Sequence, residues 1–208
     1  STLLAAFDVV LHRWSRQGDI VVGSPIAGRT RSETEGLIGF FLNTLVLRTE
    51  LSDDLSFKDL LARVKDVCLG AYAHQDMPFE RLVQEIAPER DLSRTPIFQV
   101  QFSLQNTPTQ ALELPGLTLT LLENHNRTTK FDFTVFLFDQ PERLTTTLEY
   151  NVDLFDESTI ERFLRHWGTL LTGAVASPGL RLGELPMLAP EERAQLLTGW
   201  NTQEAAFA

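Results

Sequence analysis

The chain has 208 residues, of which 43% are hydrophobic, and carries 28 acidic against 18 basic side chains for a formal net charge of -10. That length can bury a core in one domain or two small lobes without covalent staples, while the acidic balance argues against a nucleic-acid partner, which would need clustered Lys and Arg. With Cys68 as the only cysteine, an intrachain disulfide and a Cys-based metal cluster are excluded, and a reducing, intracellular setting is expected.

The N-terminus lacks a basic leader and a cleavage site, and no apolar run reaches bilayer-spanning length, so neither an export signal nor a membrane anchor is expected. Leu3, Leu4, Phe7, Val10, Leu11 and Trp14 instead share one helical face from the first residues, which points to a chain cut from a longer protein. This helix should stop near Gly18. Residues 19–23 read as a short buried strand followed by a loop through Arg31, and residues 37–48 as a second extended stretch. Ser56 and Asp59 form a capping-box-like start to a helix carrying Phe57, Leu60, Leu61, Val64, Cys68 and Ala71, which ends near His74. Asp76 can cap, and Pro78 can open, a short helix whose Phe79, Leu82, Val83 and Ile86 face inward until Pro88 stops it.

From Ile97 the period changes. Phe98, Val100, Phe102 and Leu104 alternate with polar residues, the signature of a half-buried strand. Residues 117–123, 131–138 and 144–152 read as further strands, the last two joined as a hairpin across Asp139-Gln140-Pro141-Glu142. After Asp156, a candidate N-cap, Ile160, Phe163, Leu164, Trp167, Leu170, Leu171 and Val175 trace a long amphipathic helix that ends before Pro178-Gly179. A tail with linker-like composition follows from Pro186. The expected class is α+β, a mixed, largely antiparallel sheet covered by helices.

Local signatures of chemistry are absent: no Gly-x-Ser-x-Gly elbow, phosphate loop, dinucleotide fingerprint or His-Glu-x-x-His zinc motif occurs. Cys68 lies on an apolar helix face and reads as core, not as a nucleophile. His12, His74, His125 and His166 are far apart, and a metal role for them is disfavoured. His74-Gln75-Asp76-Met77-Pro78-Phe79-Glu80 gathers a histidine, carboxylates and an amide around a helix start. A general base there is conceivable, but helix-end roles for His74 and Asp76 are favoured. Gly23-Ser24-Pro25-Ile26-Ala27-Gly28-Arg29 suits either ligand contacts or simple turn-making. Asn43 interrupts an apolar run and must bond either backbone or a substrate amide if buried.

Four segments together resemble, in order and spacing, the later motifs of condensation domains in non-ribosomal peptide synthetases. Residues 19–29, ending Gly23-Ser24-Pro25-Ile26-Ala27-Gly28-Arg29, look like the fourth motif, with Gly28 where the family often has Asn. Ile38-Gly39-Phe40-Phe41-Leu42-Asn43-Thr44 opens the fifth, residues 74–80 match the sixth, and Arg90-Asp91-Leu92-Ser93-Arg94-Thr95-Pro96-Ile97-Phe98 opens the seventh. Lys130-Phe131-Asp132-Phe133-Thr134 and Leu148-Glu149-Tyr150-Asn151 continue the likeness. The family's His-His-x-x-x-Asp-Gly motif, which belongs to its N-terminal lobe, is missing.

The resemblance implies the C-terminal half of a chloramphenicol acetyltransferase-like fold over residues 1–184. Residues 185–208 would be a linker towards a downstream adenylation domain, with Leu196-Leu197-Thr198-Gly199-Trp200-Asn201-Thr202 as its lead-in. It implies amide formation between aminoacyl or peptidyl thioesters on phosphopantetheine arms of upstream and downstream carrier proteins, no cofactor bound directly, a cytoplasmic setting, and an isolated chain without activity. Gly23, Ser24 and Asn43 would be tunnel or lobe-interface residues. Arg29, His74, Asp76, Pro78, Phe79 and Arg94 would be structural motif residues, and no catalytic residue is assigned. The missing N-terminal lobe should leave an apolar surface that self-association could cover. The rival readings are a non-catalytic carrier-docking or interdomain scaffold module and a related acyltransferase or epimerisation domain.

Overall fold

A computed structural model describes residues 1–29, 32–86, 94–105, 117, 128–140 and 143–200. Of the strand expected at 117–123 only Leu117 is described. Pro88, residues 90–93 of the seventh motif, the turn residues 141–142 and the tail 201–208 likewise lie outside the described residues.

In chain order the elements are α1 (Thr2–Ser15), β1 (Asp19–Ile26), α2 (Ser32–Glu35), β2 (Asn43–Glu50), α3 (Phe57–Ala73), α4 (Phe79–Ile86), β3 (Val100–Gln105), β4 (Phe133–Gln140), β5 (Arg143–Tyr150), α5 (Glu157–Ala176) and α6 (Pro190–Ala194), which runs into a π turn at Gln195–Gly199. The strands form one sheet in the order β2-β1-β3-β4-β5. The chain divides into two compact units: Ser1–Val21, Val46–Gln75 and Phe155–Ala208 make the first, and Val22–Leu45 with Asp76–Leu154 the second.

The first unit is built on helices. Residues 4–10 of α1 are all buried, so the helix is enclosed around its middle and is not merely packed by one face. Phe7 lies edge-on to Phe163 and Trp167 of α5, with ring centroids 5.8 and 5.4 Å away. Burying side chains of this kind contributes about 1.5–3 kcal/mol each. Phe57, Leu60 and Val64 of α3 are buried as well. Ser56 caps α3 as expected, its Oγ accepting from the Asp59 amide, while the hydroxyl donates to Asp59 Oδ2. Asp156 occupies the N-cap position of α5, but its side chain makes no cap bond; its carbonyl accepts from Thr159 and Ile160.

In the second unit β3 pairs in parallel with β4 over Val100↔Phe133 to Gln105↔Phe138, and β4 pairs antiparallel with β5 over Phe133↔Tyr150 to Gln140↔Arg143. The β4–β5 pair is the expected hairpin. β1 also joins β3 in parallel, at Gly23↔Gln101. The expected mixed sheet stands: of the three pairings described in register, β4–β5 is antiparallel and β1–β3 and β3–β4 are parallel. Alternation reveals faces and not directions, and the long connection over residues 106–132 permits the crossover that a parallel pair needs.

Three local expectations are corrected. The extended stretch at 37–48 is a strand only from Asn43, and Leu37, Ile38, Phe40 and Leu42 before it are exposed. In β3 Ser103 is buried and Leu104 exposed, so burial along the strand does not follow the alternation of its side chains. In α4 no residue is fully buried, and Ile86 is exposed. Its pattern marks an apolar face without saying how far that face is covered.

Candidate functional site

In the second unit four of the sequence motifs meet around one ring, that of Phe98, which is 2% exposed. The Phe98 amide donates to the Pro96 carbonyl at 2.9 Å, closing a three-residue turn with Ile97 at φ 72°. A β-branched residue rarely adopts this left-handed backbone. Its neighbours enforce it: Thr95 Oγ1 donates to the Phe98 carbonyl at 2.5 Å, and Gln99 Nε2 donates to the Thr95 carbonyl at 3.1 Å. The turn delivers the Phe98 ring between Phe79, at 5.5 Å, and Phe131, at 5.2 Å.

Beneath this ring lies Gly23, buried in β1. A Cβ there would stand 2.2 Å from Phe98 Cε2, so the position requires glycine because of a close approach and not because of a turn. Ser24, the next residue, is half-buried and lies within β1 instead of in a loop.

Asn43, at the start of β2, bonds backbone. Its Oδ1 accepts from the Thr44 amide at 2.9 Å and the Phe79 amide at 3.1 Å, while Nδ2 donates to the Met77 carbonyl at 2.8 Å. Asn43 therefore caps α4 from a distant part of the chain, satisfying an otherwise orphaned helix N–H. The exposed Asp76 does not serve as that cap. Pro78 precedes the helix, its carbonyl accepting from the Arg81 and Leu82 amides.

The remaining motif residues are placed as follows. Arg29 Nη1 donates to the carbonyls of Thr34, at 2.6 Å, and Leu37, at 2.9 Å, and its guanidinium lies 4.6 Å from the centre of the Phe41 ring. Arg94 is exposed. Burial raises the Asp132 carboxyl above its ordinary range, and the charge of Arg94 partly offsets that. In the first unit, His74 closes α3: its amide donates to the Ala71 carbonyl, and Nδ1 bonds the Gly70 carbonyl at 2.9 Å. Burial raises the half-buried Cys68 thiol, which disfavours a nucleophilic thiolate.

Sequence reading did not find the roles of Phe98, Thr95 and Ile97. The available signal was Gly23 itself, a residue without a side chain directly after the β-branched run Ile20-Val21-Val22. The assembly around Phe98 fixes backbone positions and presents no nucleophile–base pair. Among the described residues no three His, Cys, Asp or Glu side chains are grouped to hold a metal ion, and no helix is long and apolar enough to cross a membrane. A surface hollow of about 260 Å³ lined by Arg48, Glu50, Arg63 and Val67 lies in the first unit. Its arginines are engaged, Arg48 in a two-pronged pair with Asp19 and Arg63 on the Glu50 carbonyl.

A family model described as "Condensation domain" matches residues 1–197. A linear gramicidin synthase of Brevibacillus parabrevis is 50% identical over 100% of this chain, which spans 4% of that relative. A chondramide synthase of Chondromyces crocatus is 44% identical over 96% of the chain and is spanned to 5%. Among solved structures, the X-domain from teicoplanin biosynthesis superposes with a TM-score of 0.82 at 28% identity, covering 90% of this chain and 43% of that one. The four-domain nonribosomal peptide synthetase holo-AB3403 shares the fold with a TM-score of 0.84 at 23% identity, covering 93% of this chain and 16% of that one. From the match along almost its whole length, the chain belongs to the condensation domain family.

Proposed function

We propose that residues 1–184 are the C-terminal lobe of a nonribosomal peptide synthetase condensation domain and that residues 185–208 connect it towards a downstream adenylation domain. In the intact domain an aminoacyl or peptidyl thioester on an upstream carrier protein is attacked by the amine of an aminoacyl thioester on a downstream one. The amine nitrogen forms an amide bond to the carbonyl carbon, the C–S bond breaks, and the thiol of the donor phosphopantetheine arm is released. The demands are orientation of two tethered reactants and removal of the amine's proton. This chain contributes the first by forming one wall of the tunnel that receives the arms, with Gly23, Ser24 and Asn43 at the tunnel or lobe interface. Within that wall Asn43 and the Phe98 assembly set the positions of α4 and β1. The base comes from the His-His-x-x-x-Asp-Gly motif, which these 208 residues do not contain, so the chain alone acts as a scaffold without turnover, in the cytoplasm.

The observation that carries this reading is the family match over residues 1–197. Coverage of only 43% of a related solved domain supports the assignment to one lobe. The exposed apolar residues Leu37, Ile38, Phe40 and Leu42 fit a face covered by the N-terminal lobe, or by a second copy when that lobe is absent. The test is amide formation between loaded donor and acceptor carrier proteins, with this chain alone and with a separately produced N-terminal lobe. Product is expected only on complementation, and turnover by the chain alone would overturn the reading.

A further inference from the structure

Helix α6 has five residues, none of them buried, and a helix that short does not hold itself together in water. The segment leading to it is anchored in the first unit. Leu182 and Leu185 are buried, Arg13 Nη1 donates to the Leu185 carbonyl at 2.6 Å, and Pro186 fills the notch left by Gly173, where a Cβ would stand 2.4 Å from Pro186 Cγ. Beyond Pro186 none of the described residues is fully buried, Met187, Leu188 and Ala189 being half-buried, and a polar chain reaches α6. Trp14 Nε1 of α1 donates to His166 Nδ1 of α5 at 3.1 Å, and His166 Nε2 lies 2.9 Å from Glu192 Oε2 of α6. The His166 side chain is only 6% exposed, and the Trp14 ring is held by Phe163, with centroids 5.4 Å apart.

By distance the His166–Glu192 contact passes for an ion pair, but Trp14 makes it something else. An indole N–H can only donate, so His166 Nδ1 must accept and carries no proton. The ring proton therefore sits on Nε2 and is donated to the Glu192 carboxylate, giving a charge-assisted bond from a neutral imidazole. We infer that Trp14, His166 and Glu192 form a directional relay that latches α6 onto the α1–α5 pair, with Trp14 selecting the neutral, Nε2-protonated form of His166. The relay is a positioning device for the terminal segment and stands independently of the function proposed above.

Hydrogen exchange and imidazole ¹⁵N spectra of the full 208-residue chain test it. In Glu192→Ala the amides at residues 193–195 are expected to exchange at least tenfold faster, while those of α3 stay unchanged. Unchanged exchange at 193–195, or equal acceleration throughout the first unit, would overturn the latch. In the wild type the His166 ring proton should sit on Nε2, with Nδ1 accepting from Trp14, and an Nδ1-protonated ring would overturn the relay. Trp14→Phe keeps an aromatic ring beside Phe163 but removes the donor. The amides at residues 193–195 should then exchange faster as well, and exchange there equal to the wild type would count against Trp14 as part of the latch.

Discussion

Asp8 lies in α1 between Phe7 and Val9 and is 1% exposed, and among the described residues its Oδ1 meets no hydrogen-bond partner. Burial pushes its carboxyl up to about 8, the nearby Thr49 side chain opposing the shift. The native state thus keeps this proton up to about pH 8, whereas the unfolded chain releases it around 3.8. Stability falls as pH rises through that window and levels off above it, since the unfolded state there binds fewer protons than the native one. Asp8→Asn removes the slope. Its advantage over the wild type should be small at pH 4 and exceed about 1 kcal/mol at pH 8, read from urea melts at both pH values. Two glycines give opposite signs at the same scale. Gly23→Ala drives a methyl into the Phe98 ring, which is clamped between two others, and should cost about 2–3 kcal/mol. Gly70→Ala, in the body of α3 with open space around its Cβ, should gain about 0.5–1 kcal/mol in the same denaturation assay. Asp8 was hidden from sequence reading because a polar residue in an amphipathic pattern is assigned to solvent. Only the enclosure of α1 on all sides places it inside.

The helix starts show which elements can be read locally. The cap of α3 was legible because Ser56 and Asp59 are three residues apart and meet in the same turn. The cap of α4 was not, because its acceptor, Asn43, lies 36 residues away from Phe79, and the nearby Asp76 drew the assignment instead. Asn43→Ala should speed amide exchange across residues 79–82 and cost about 1–2 kcal/mol. Asn43→Asp keeps the acceptor for the Phe79 amide but cannot donate to the Met77 carbonyl, so it should fall between Ala and the wild type. Exchange in the Ala variant identical to the wild type would mean that α4 is held without this cap. Strand directions were illegible for a similar reason: the pleat of β3 is written in consecutive residues, but its parallel partners lie in stretches far from it along the chain. The β4–β5 hairpin, whose strands are neighbours in sequence, was read correctly.

Across the whole molecule, the mixed helix-and-sheet class and the family were legible from motif order, which survives errors in individual boundaries. Burial of the segment before β2 was not legible. Ile38 and Phe40 sit in a run that reads as core, yet they are 105% and 87% exposed, because an apolar run states that cover is needed without naming what supplies it. The two compact units are also threaded through one another in sequence, the first drawing on both ends of the chain and on its middle. This sets a limit on modular exchange. A crossover point anywhere from residue 22 to residue 154 divides the first unit between two parents, so Phe7 would come from one source and the Phe163 and Trp167 that enclose it from another. Chimeras of this region should therefore be built so that the aromatic partners of α1 and α5 are inherited together.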